Sequence, residues 1–122
     1  MIFFDGPNGN ITISGRLTQA GVYRALLSQV GTDDPTAKLL ESTLGAIVWT
    51  RSSAGVYVGT LLGAFTADKT FLLIGRNGVA DVCSYDFLRV DNDSVAINSF
   101  DGAPVLADDL LSNTPIEIVV YP

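Results

Sequence analysis

Short runs of β-branched and aromatic residues recur along the whole chain, each soon ended by Gly, Asn, Asp or Pro. That spacing of apolar runs and turn residues is the pattern of antiparallel strands joined by loops. Val22–Gln29, Thr70–Ile74 and Ile116–Tyr121 read as strands. Ala46–Arg51 and Val56–Leu62 read as a hairpin around Ser52-Ser53-Ala54-Gly55, with Gly55 available for a left-handed turn position. Val82–Val90 and Ser94–Phe100 form a second hairpin across Asp91-Asn92-Asp93. Ile11–Ser14 is a short strand after the loop Asp5–Asn10, and Asn77-Gly78 marks a tight turn. Ala37–Leu44 has leucines at 39, 40 and 44 that would suit one helical face, but it is short for a stable helix and extended structure is preferred. Thr70–Ile74 is almost uniformly apolar, which predicts cover on both faces. The fold expected is one all-β domain over residues 1–122: an antiparallel β-sandwich, jelly-roll-like, of about eight or nine strands, with 1–21 as an N-terminal turn and strand region.

Charged residues make up 16% of the chain, where about 25% is usual. The apolar surplus is spread through the strands, which points to a face covered by another subunit and so to a homo-oligomer. Net charge is −6, and the seven basic residues are scattered. Without a basic stripe there is no electrostatic footprint for nucleic acid. No apolar run approaches the ~20 residues of a membrane span. The opening Met1–Gly6 has no basic n-region, so no signal peptide is expected and synthesis is placed in a cytoplasm.

The residues for common catalytic chemistry are sparse. There is no histidine, the one side chain that titrates unperturbed near neutrality. The single Cys83 has no cysteine partner in the chain and reads as a small buried apolar residue. Asp33-Asp34, Asp91-Asn92-Asp93 and Asp108-Asp109 fall in loops, where Asx side chains stabilise turns by bonding their own backbone. Asp91-Asn92-Asp93-Ser94 lacks the glycine and distant glutamate of an EF-hand loop. Gly75-Arg76-Asn77-Gly78 reads as a turn, not a phosphate loop. No cofactor, no metal and no catalytic residue is expected. The remaining candidates are aromatic: Trp49, Tyr57, Tyr23 and Tyr121, with Tyr85, lie on predicted strands. They suit core packing, a subunit interface or a sugar-stacking platform.

Two segments carry a resemblance. One runs through Val22-Tyr23-Arg24-Ala25-Leu26-Leu27-Ser28-Gln29, Gly31-Thr32-Asp33-Asp34-Pro35, Leu40-Glu41-Ser42-Thr43-Leu44-Gly45 and Ile47-Val48-Trp49-Thr50-Arg51. The other joins Phe100-Asp101-Gly102 to Asp109–Tyr121. Together they resemble small phage and prophage proteins of Bacteroidetes, including those of crAss-like and marine phages, where similar stretches occur in head-fibre or tail-associated modules. The resemblance implies a non-enzymatic virion-associated structural protein (head-fibre, decoration or tail module), assembled as a homo-oligomer with a trimer as the expected state. Its partners would be other virion proteins or host glycans. A second reading, from a different class, is a carbohydrate-binding β-sandwich module recognising host surface glycans.

Overall fold

The computed structural model describes residues 3–5, 10–12, 20–76 and 83–122, and all its regular structure is β. A two-stranded ribbon joins β1 (Phe3–Asp5) to β2 (Asn10–Thr12). Eight further strands follow: β3 (Gly21–Ser28), β4 (Thr36–Ser42), β5 (Val48–Ser53), β6 (Val56–Thr60), β7 (Thr70–Ile74), β8 (Ser84–Asp91), β9 (Ser94–Phe100) and β10 (Thr114–Val120). They form two antiparallel four-stranded sheets, ordered β4-β3-β10-β7 and β5-β6-β9-β8. This is the expected all-β sandwich. Three hairpins, β3–β4, β5–β6 and β8–β9, stay inside one sheet, which distinguishes the strand order from the strict sheet-to-sheet alternation of a simple jelly roll.

Period-two alternation explains why these segments settle as they do. Tyr23, Ala25 and Leu27 on β3 and Ile116 and Ile118 on β10 point between the sheets; Val95, Ile97 and Tyr57 meet them from the second sheet. Pro115 sits near the start of β10, where its carbonyl takes the Gly75 N–H just past the end of β7; the N–H it lacks costs the ladder only a bond at its very end, where proline is tolerated. Gly59 lies opposite Trp49 in the β5–β6 ladder, and a Cβ there would come within 2.8 Å of the indole. The missing side chain is what lets the Trp49 ring lie against the neighbouring strand. Phe65, in the connection between β6 and β7, is fully buried and fills the same core.

Ala37–Leu44 is extended through β4, because pairing with β3 supplies the hydrogen bonds an isolated short helix could not keep. The β5–β6 turn is tighter than predicted: β5 continues through Ser53, leaving Ala54 and Gly55 as the turn, with Gly55 at φ +72°. Cys83 is buried. Thr70–Ile74 is not covered on both faces. It is an edge strand, with Phe71 48% and Leu73 54% exposed on its outer side. Position at the edge of the sheet, not its own composition, decides that cover. Most of the loop Asp5–Asn10, the end of the strand Ile11–Ser14, the turn Asn77-Gly78 and Val82 lie outside the described residues.

Candidate interaction surface

Three of the four aromatic candidates are core residues. Tyr57, Tyr23 and Trp49 are 0%, 2% and 6% exposed. Trp49 and Tyr23 are brought together, the indole Nε1 donating to the Tyr23 hydroxyl at 3.2 Å. They point inward because alternation places them on the core face of β3, β5 and β6, so the expectation that they line an interface or ligand site is corrected. Tyr121 differs. It is 55% exposed and continues the outward row of Pro115, Glu117 and Val119 one step past β10, where its N–H still bonds to the Lys69 carbonyl.

The surface Tyr121 borders is the outer face of the first sheet. Arg24 stands at its centre on β3, between Glu117 on β10 and Glu41 on β4, at 2.5 Å from each carboxylate. Cross-strand pairing fixes both contacts, since Arg24 lies directly opposite Glu117 and opposite Glu41. Hydrogen bonding to Glu117, then to Glu41, raises the Arg24 pKa above its ordinary value. All three groups are partly exposed, so the pairs add little stability. Their effect is to satisfy one another and leave the surroundings free for apolar residues. Leu40, Leu73 and Pro115 flank the triad and, with Arg24, Glu117 and Gly75, line a groove of about 410 Å³. Phe71 extends the apolar surface toward Tyr121, over the buried Val119 beside it on β10. Nothing in the sequence pattern identified this groove, because Arg24, Glu41 and Glu117 converge only through sheet pairing.

A second polar cluster ties down the long connection from β9 to β10. Asp108 takes two bonds from Arg51, with Nη2 at 2.7 Å and Nε at 3.1 Å, one from the Gly55 N–H at 3.0 Å, and lies 2.8 Å from the Tyr57 hydroxyl. That hydroxyl also lies 2.9 Å from Gln29 Oε1, which accepts the Asp109 N–H. Arg51 holds the Asp108 carboxyl well below the usual carboxylate range, aided by the Gly55 N–H and Tyr57, while burial and then Asp108 push the Tyr57 phenol up. Asp108 therefore stays charged and Tyr57 protonated across the neutral range, as suits a clamp better than a proton carrier. Near the other end of β8, burial and the Cys83 thiol push Tyr85 up to about 12, and its hydroxyl donates to the Leu110 carbonyl at 2.6 Å.

The clamp sets a pH dependence. Its carboxyl is depressed in the folded state relative to its ordinary 3.8, so the stabilisation is complete above about pH 5 and is lost as pH falls through the folded value. Wild-type melting temperature should fall in acid. Asp108→Asn should lose about 1.5–3 kcal/mol near pH 7 and show a flatter acid limb; parallel acid limbs in thermal melts of the two proteins would refute the clamp.

The acidic loop at 91–93 is a turn structure, where Asp91 Oδ1 accepts the Asp93 N–H and the Ser94 hydroxyl, which hold its pKa down. Asp34 instead reaches across to β5 and accepts the Arg51 N–H, a tie between segments and not the local turn bond expected of it. Among the described residues no three acidic, cysteine or histidine side chains gather as metal ligands.

No family model matches the chain. No curated protein and no solved structure matches it either.

Proposed function

We propose that the chain is a non-enzymatic, virion-associated structural protein of a phage, a head-fibre, decoration or tail module that works by assembling with copies of itself. The observation that carries the assembly reading is the outer face of the first sheet, where Leu40, Phe71 and Leu73 stand exposed around a triad whose charges are already paired. The phage assignment comes from the resemblance of the two sequence segments, and so does the trimer.

Each of those three side chains is about half exposed, so covering it is worth about 0.8–1.5 kcal/mol, half the value for full burial. Association costs about 4–15 kcal/mol in lost freedom. The three alone give weak association, so Pro115 and Tyr121 or a further contact must contribute. A glycan-binding role finds less support, because a stacking platform needs open aromatic faces and Tyr23, Trp49 and Tyr57 lie in the core.

The test is solution mass by light scattering behind a sizing column at two concentrations, for wild type and Leu40→Asp. A stable multiple of 12.9 kDa is expected for wild type, with the variant lighter and its thermal melt unchanged. A monomer at both concentrations overturns the assembly reading; a variant that keeps the wild-type mass moves the contact off this face.

A further inference from the structure

The two sheets have four edges: β4, β7, β5 and β8. Three are protected against pairing with another strand. β4 carries one extra residue against β3 at Leu40, β5 one against β6 at Ser52, and β8 one against β9 at Val90. Such bulges twist an edge away from a regular ladder. The same three strands bear charge: Lys38 and Glu41 on β4, Arg51 turned inward to Asp108 on β5, and Asp86, Arg89 and Asp91 on β8. Charges and bulges are the devices by which sheets avoid edge-to-edge association. Thr70-Phe71-Leu72-Leu73-Ile74 has none of them. β7 is uncharged, free of proline, and in unbroken register with β10.

Two hydrogen bonds fix which backbone groups this edge presents. The Gly75 N–H donates to the Pro115 carbonyl at 2.9 Å, and the Tyr121 N–H to the Lys69 carbonyl at 2.9 Å. Residues 69, 71, 73 and 75 therefore bond inward to β10, and the N–H and C=O of Thr70, Leu72 and Ile74 face the open side. Among the described residues no strand pairs with that side; β8 runs nearby in the other sheet without a backbone bond to β7.

We propose that the β7 strands of two copies pair antiparallel about a two-fold axis at Leu72, joining the first sheets into one. Residues 70, 72 and 74 are symmetric about that point. Leu72 faces Leu72 of the second copy and Thr70 faces its Ile74, giving about six backbone bonds in an antiparallel ladder. Phe71 then sits opposite the second copy's Leu73, extending the apolar outer face across the axis. The occupant is a second copy because of charge. In a chain of net −6, β7 is the edge at which two copies meet without charged residues in the ladder, whereas β4 would bring Lys38 and Glu41, and β8 Asp86, Arg89 and Asp91, into it. This rests on the assembly reading and supplies its further contact; a two-fold contact makes the mass an even multiple, a dimer or a pair of trimers.

The full-length chain tests this as Phe71→Cys/Leu73→Cys, oxidised and run on a non-reducing gel beside both single variants and wild type. In the paired register, positions 71 and 73 of opposite copies have Cα atoms ~4.5 Å apart, within disulfide reach, while like positions lie beyond the ~7 Å limit. The double variant should link predominantly as a dimer and each single variant at least tenfold less. Leu72→Pro removes an outward N–H without breaking the β10 ladder, and it should halve the wild-type mass. Absence of the double-variant link in a protein that still associates overturns edge pairing and leaves the assembly reading standing. So does equal linking by the single variants, a wild type that is only trimeric, or an open-ended ladder of species. A wild type that is monomeric at both concentrations overturns both.

Discussion

Gly55→Ala is expected to destabilise the fold by about 2–5 kcal/mol, a large effect for one added methyl group. Two costs combine. At φ +72° an L-residue is strained, which takes about 1–2 kcal/mol. The new Cβ would also lie 2.6 Å from Ala107 N and 2.8 Å from Ser99 O, both backbone atoms that cannot rotate aside. Overpacking of that kind typically costs about 1–3 kcal/mol. Relief requires the connection from β9 to β10 to move away from the β5–β6 turn. That movement pulls Asp108 from the Gly55 N–H and Arg51, and Ala107 from Ser99. Thermal melting should show a drop of roughly 10 °C or more, and hydrogen exchange should show the Ala107 and Ser99 amides losing protection first. A Gly55→Ala protein with wild-type stability would mean that the connection is not seated on this turn.

Gly55 also shows how far the sequence could be read. Its turn role was legible from the Ser-Ser-Ala-Gly run between two apolar segments, because turn chemistry is local. Its second role, as the floor on which residue 107 rests, is a contact between segments about fifty positions apart and leaves no local trace. The same division runs through the molecule. Strand positions and inward faces follow from period-two alternation, and the antiparallel sandwich follows from their spacing. Asp108 could be placed in a loop but not given its partner, since an acidic pair beside turn residues looks alike whether solvated or clamped to Arg51. Phe65, Leu110 and Leu111 lie outside the strands and are buried nonetheless; periodicity has nothing to say of them. The apolar run of β7 suggests cover on both faces because composition reports hydrophobicity, while sheet position decides exposure. The groove around Arg24 needs cross-strand register, which only the folded chain supplies.

Trp49→Ala carries the second large effect, an expected loss of about 3–5 kcal/mol, and it separates core from interface. Had Trp49 lined a subunit contact, its removal would lower assembly while leaving each subunit's melt nearly unchanged. Its actual position predicts the reverse order of events. The indole lies against Gly59 across the β5–β6 ladder and donates to Tyr23, so alanine opens a cavity between β5 and β3 and leaves a buried hydroxyl without its donor. Gly59 cannot fill that space, having no side chain. The melting temperature should fall at every protein concentration by the same amount, with association lost only in step with unfolding. Leu40→Asp should do the opposite, lowering the mass without moving the melt. Measuring both variants by melt and by light scattering at two concentrations gives a crossed pair of results. A Trp49→Ala protein that melts normally but fails to associate would place this side chain in the contact and undo the assignment of the apolar surplus to the outer face of the first sheet.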